Sequence, residues 1–179
     1  MHTAAILKTV CLQLRQRWGW TADQCRVTLD TRPIARCGEF FVAIADAGTE
    51  AAESTGHFVA ERFQLEVGVW RRVASFPADR AANLLLDDDP HAAPVCLPHA
   101  LERQVKQTIH RSYTLLNAIN HAAGCGTEAT GSGLQSPFVY RGSRRTQVLE
   151  AKPGGAAFVG RLIQFGEALH IDPISENEA

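Results

Sequence analysis

The chain has 179 residues, enough for one domain with a sizeable core, and its 45% apolar and 21% charged residues exclude wholesale disorder. Eighteen basic against 19 acidic residues give a net charge of −1, which excludes a protein that grips nucleic acid by its phosphates over a broad basic surface. No run of about 18 apolar residues occurs, so a membrane-spanning helix and a membrane partner are not expected. The five cysteines (Cys11, Cys25, Cys37, Cys96, Cys125) are odd in number and scattered, and charges run through the N-terminal apolar pattern. Free thiols in a reducing compartment, with no signal peptide, are the expected reading.

Thr3–Trp18 is predicted to be an amphipathic helix. Leu7, Val10, Cys11, Leu14 and Trp18 follow helical spacing, Thr3 stands at the cap position and Gly19 at the stop. Trp18 and Trp20 are expected to lie over a sheet as a hydrophobic lid. Arg26–Leu29, before the turn sequence Asp30-Thr31-Arg32-Pro33, reads as a short edge strand. Glu39–Asp46, EFFVAIAD, is apolar on both parities and reads as a strand covered on both faces.

The next segment, 47–56, lacks any large apolar group and is expected to be an exposed loop joining two antiparallel strands. Then comes the longest signal in the chain, His57–Ala74. Val59, Phe63, Leu65, Val67, Val69 and Val73 share one parity, while Arg62, Gln64, Glu66 and Arg72 share the other. That is the period of a half-buried strand. Some 16 residues would reach roughly 50 Å, so this ribbon must bend or project past its own domain. Gly68 is the expected site of the bulge or bend.

Residues 77–90 suggest a short proline-started helix ending at Asp87-Asp88-Asp89, a solvated stop rather than a calcium loop. Pro98–Asn120 carries the longest helical stripe, through Leu101, Val105, Ile109, Leu116 and Ile119. Thr127–Ser136 reads as a flexible Gly/Ser loop. Pro137–Tyr140 and Thr146–Ala151 read as short strands on either side of Arg141-Gly142-Ser143-Arg144-Arg145. Ala157–Ile171 reads as a final strand or strand pair, and 172–179 as a frayed tail. The elements predict a single α+β domain spanning 1–179: a mainly antiparallel sheet with a long β-hairpin, an N-terminal helix and a long central helix.

Residue patterns that would announce a reaction are not found. Cys96 with His99, and His121 with Cys125, each offer two soft ligands, but a single helix between them would hold the pairs roughly 30 Å apart. There is no nucleophile elbow, phosphate loop or dinucleotide fingerprint. Glu50 and Glu53 have nothing nearby in sequence to raise a pKa and read as surface carboxylates. A cysteine–histidine enzyme using Cys37 or Cys96 stays open, as does an adaptor that takes a peptide by strand addition along the ribbon. The basic clusters Arg71-Arg72 and Arg141, Arg144, Arg145 fit protein contacts or a solvated face.

In its order of elements the chain resembles the tail terminator (tail completion) proteins at the head–tail junction of long-tailed bacteriophages. The order is an N-terminal amphipathic helix, a short strand, EFFVAIAD, an acidic loop, the ribbon FVAERFQLEVGVWRRVA, two helices, and the late strand GRLIQFGEALHI. The resemblance implies helices packed on one face of the sheet and a ring of six copies capping the tail tube. It also implies contacts with the tail tube protein and a head–tail connector or stopper, and DNA passing through the lumen without sequence readout. No enzymatic role, cofactor or metal is expected. The expected interface residues are Glu50 and Glu53 in the loop, His57, Arg62, Arg71 and Arg72 on the ribbon, and Arg141, Arg144 and Arg145.

Overall fold

A computed structural model of the chain describes residues 3–34, 38–52, 57–73, 97–125, 133–146, 149–150 and 156–173. The segment 77–90, with its acidic triplet, lies outside the described residues, as do Cys37, Cys96 and most of the Gly/Ser loop. Within them the fold is α+β. Helix α1 is Thr3–Trp18, α2 Pro98–Ile109 and α3 Tyr113–Ala122. The strands are β1 Cys25–Val27, β2 Phe40–Ala51, β3 Phe58–Val73, β4 Gly133–Leu134, β5 Val139–Arg145, β6 Leu149–Glu150 and β7 Ala157–Pro173. All belong to one sheet in the order β1-β2-β3-β7, and β4, β5 and β6 share the far edge of β7 end to end. Among the described strands, the β1–β2 pairing is parallel and the others are antiparallel.

Period two decides which face each residue of β3 serves. Phe63, Leu65, Val67 and Val69 are buried with Val42, Ile44, Ile163 and Phe165 against Ile6, Val10 and Leu14 of α1, Leu101, Val105 and Ile109 of α2, and Leu115 and Ile119 of α3. Helices therefore cover one face of the sheet. On the opposite face Trp70 packs with Phe41, Ala43 and Phe158 in a second, smaller cluster. The indole Nε1 donates to the Thr31 carbonyl at 2.6 Å, and the Thr31 hydroxyl donates to Glu66 at 2.6 Å. Those bonds lay the 28–34 turn over this part of the sheet.

Gly68, expected to mark a bend, sits in unbroken register opposite Ala43 and Leu162. A Cβ there would meet the Thr31 carbonyl and the Trp70 indole, and one at Gly160 would meet the Val69 carbonyl and the same ring. The two glycines are the seat of the indole, which is why they carry no side chain. Gly160→Ala is expected to destabilise the fold by about 1–3 kcal/mol through overpacking, measured by urea unfolding. A loss near zero would mean that the indole is free to shift.

Sequence and structure differ at five further places. The first half of the expected loop 47–56 is strand: β2 continues to Ala51, with Gly48, Thr49, Glu50 and Ala51 opposite Gln64, Phe63, Arg62 and Glu61. The expected 98–120 helix is two helices. Arg111 turns left-handed at φ 51° and gives its N–H to the Phe138 carbonyl, and Ser112 caps α3 by accepting from Leu115 N–H. The Gly/Ser loop ends in a strand, since Gly133 and Leu134 pair with β7 while the Asn120 side-chain amide bonds both the N–H and the carbonyl of Leu134. The basic cluster is not a turn between strands, because Arg141–Arg145 lie within β5 itself. Part of the expected tail is also strand, since β7 runs to Pro173.

Nor does the ribbon stand outside its own sheet. β3 is paired over 61–71 by β2 and over 58–73 by β7, so both of its edges are occupied by its own chain. This removes the strand-addition site expected along the ribbon.

Candidate functional site

The 16-residue strand is accommodated by a bend, and the bend is made by its neighbours. The register of β2 against β3 slips between Asp46 and Gly48, opposite Leu65 and Gln64. That of β7 slips between Phe165 and Ala168, opposite Leu65 and Phe63. That of β5 slips between Tyr140 and Gly142, opposite Phe165 and Gln164. Three bulges thus stand at one level across four strands. Each adds local twist, and together they fold the sheet along one line. Gly48 (φ 101°), Gly142 (φ 153°) and Glu167 (φ 63°) take the backbone conformations these bulges require.

Along this line, on the face away from the helices, lies an open groove of about 210 Å³ lined by Ala47, Glu50, Arg62, Gln64, Leu65, Arg141, Gln164, Phe165, Gly166 and Glu167. Glu50 and Arg62 are register partners on β2 and β3. Arg141 bonds Glu167 across the groove at 2.7 Å, both side chains being about half exposed. Two guanidiniums, two carboxylates and two primary amides converge here. Such a lining can hold a polar or charged partner by hydrogen bonds in a wet contact.

Of the expected interface residues, Glu50, Arg62 and Arg141 meet in this groove. His57 is exposed at the entry to β3, and Glu53 lies outside the described residues. Arg144 and Arg145 are exposed on β5. Arg71 and Arg72 do not form one patch, since they alternate across the strand. Arg71 is buried and clamps Glu39, to its carboxylate at 2.6 Å and its carbonyl at 2.9 Å. Arg72 is exposed on the other side. Arg71 therefore serves the fold. Gln64, Gln164 and Glu167 are not among the expected interface residues, although alternation places Gln64 on the same face as Arg62.

Two clusters of titratable groups lie on the helical side. Glu102, only 2% exposed, bonds the Arg161 guanidinium, Lys106 (3.3 Å) and the Ser143 hydroxyl (2.7 Å), with Tyr140 hydroxyl at 3.3 Å and His99 at 3.9 Å. Burial alone would push this carboxyl up, but the Ser143 bond and the charges of Arg161 and Lys106 outweigh it and hold the pKa below the ordinary glutamate value. The network ties α2 to β5 and β7. In the second cluster, Cys11 and Cys25, both buried, bring their sulfurs to 3.8 Å. Their mutual hydrogen bond, helped by Arg15, outweighs burial and lowers the Cys11 thiol to about 7, while the same bond and burial push Cys25 up. Arg15 donates twice to the Cys25 carbonyl, at 2.8 and 2.5 Å, so the pair pins α1 to β1.

Among the described residues no group of three or more His, Cys, Asp or Glu side chains is placed to hold a metal ion. No described helix is long and apolar enough to cross a membrane. No protein-family model matches the chain, and no curated protein sequence matches it.

Proposed function

We propose that this chain is a structural virion protein of the tail terminator type, which forms a ring at the head–tail junction. Six copies cap the tail tube, and the ring joins that tube to the head connector or stopper while the genome passes through its lumen. The observation that carries the reading is the architecture of the sheet. Helices cover one face, the other face opens into a groove along the line of bulges, and the outer strands on both sides end in segments to which no described backbone group bonds from outside. A subunit of this kind offers neighbours an open face and two strand ends. The order of elements supports the same reading: an N-terminal helix, a short strand, a long antiparallel pair, two helices and a long closing strand. A nearly neutral chain also suits a conduit that DNA must traverse without being held.

Electron microscopy and native mass spectrometry of the purified chain test the proposal. A closed ring, six-fold in copy number, that co-purifies with tail tube or connector proteins is the expected result. A chain that remains monomeric at its highest attainable concentration, and binds neither, would overturn it.

A further inference from the structure

The two outer edges of the sheet carry opposite charge, and we infer that they pair with each other between copies of this chain. One edge belongs to β2. Its partner β1 covers only Val42–Ile44, the last bond on that side running from Thr28 N–H to the Ile44 carbonyl. Past the bulge, residues 48–51 are paired with β3 on their inner side, and no described backbone group outside β3 bonds them on their outer side. Asp46 and Glu50 make this edge acidic, and both are exposed.

The other edge belongs to β5. At its start the helix hinge occupies the outer side, with Arg111 N–H on the Phe138 carbonyl and Tyr140 N–H on His110 Nδ1. Past the bulge, residues 142–145 are paired with β7 on their inner side, and again no described backbone group bonds them on their outer side. Arg144 and Arg145 make this edge basic, and both are exposed. Each edge is therefore a four-residue strand in regular register, set off by a bulge.

Charged side chains on an edge ordinarily deter pairing with another chain. They do so when both edges carry one sign. Here the signs are opposite at the two ends of one sheet, so like edges of two copies repel and unlike edges attract. The contact is then heterologous, head to tail, and such contacts close into a ring where the rotation per copy allows it. The inference rests on the ring-forming reading for the choice of a second copy as occupant, and adds which strands meet.

Two variants test it, each with like charges on its two edges. In the first, Asp46→Asn and Glu50→Arg make the β2 edge basic; asparagine keeps the acceptor that Asp46 offers to Gly48 N–H at 2.9 Å. In the second, Arg144→Glu and Arg145→Glu make the β5 edge acidic. Each alone is expected to self-associate at least about tenfold more weakly than the parent chain in native mass spectrometry and sedimentation, with an unchanged circular dichroism spectrum. Mixed one to one, they are expected to assemble again in alternation, giving particles with equal numbers of both chains. Assembly of either variant at parental strength, or folded variants that stay apart on mixing, would overturn the edge inference while leaving ring formation standing. A parent chain that never associates would overturn both. Should a reversal prevent folding, Glu50→Gln and Arg145→Gln remove one surface charge each, and a several-fold weaker association is expected from either. Parental strength in both would overturn the inference.

Discussion

Trp70→Ala is expected to lower the unfolding free energy by about 3–5 kcal/mol, a large share of the 5–15 kcal/mol that holds a domain folded. Trp70 is the largest fully buried side chain among the described residues, and it packs with Phe41 and Phe158 on the face away from the helices. Its removal leaves a cavity between Phe41 and Phe158, because the backbone at Gly68 and Gly160 offers no side chain to collapse into the space. It also orphans the Thr31 carbonyl and leaves the Thr31 hydroxyl–Glu66 bond to hold the 28–34 turn on this face. Trp70→Phe separates the two losses. It keeps most of the packing but leaves that carbonyl without its donor, which costs about 1–3 kcal/mol. Equilibrium unfolding in urea measures both. A Trp70→Ala chain that unfolds within about 1 kcal/mol of its parent would show that the 28–34 turn, not the indole, closes this face.

The strand that carries Trp70 was plain in the sequence because large apolar residues alternate with polar residues or glycine from Phe63 to Val69. The helix α1 was plain for the same reason at the helical period. Segments that became strands without such a pattern were missed. Residues 47–51, AGTEA, have little to bury, and they are extended because β3 continues past them and offers its hydrogen bonds. Arg141–Arg145 are extended because β7 has an edge to fill. In both, pairing with a long neighbour overrides weak local preference. The break between α2 and α3 did leave a trace: the apolar stripe skips from Ile109 to Leu116, and Ser112 stands where a cap belongs.

The groove was legible only in parts. Glu50, Arg62 and Arg141 could be singled out as charged residues on or beside strands, but not as neighbours. They meet because three bulges fall at one level, and the level is a property of the register between strands rather than of any one strand. Gly68 drew attention as a bend for the right reason, a missing side chain within a ribbon. The reason it is missing lies in an indole two residues on and a glycine on β7.

Glu102 is the second position with a large expected effect. The stripe of α2 runs Leu101, Glu102, Val105, Thr108 and Ile109, so a carboxylate occupies a core-facing place, and it persists there because Arg161, Lys106 and Ser143 surround it. Glu102→Ala would leave the Arg161 guanidinium, whose side chain is only 15% exposed, with its main counter-charge gone. Breaking a buried pair from one side costs about 3–5 kcal/mol. Replacing both, as Glu102→Leu with Arg161→Met, is expected to recover most of that loss, because no buried charge is then left alone. The same carboxylate sets a pH dependence. Its folded-state pKa lies below that of the unfolded chain, so its contribution is fully present above the unfolded value of about 4.3 and is lost as pH falls through the folded value. Glu102→Gln keeps an acceptor for Ser143 but cannot titrate. Its stability should therefore fall less steeply than the parent's as pH is lowered from about 5 to 3. Urea unfolding across that range, for parent and variant side by side, measures the difference in slope. Parallel curves would show that the Glu102 cluster takes no part in acid unfolding and that the link from α2 to β5 and β7 is held by packing alone.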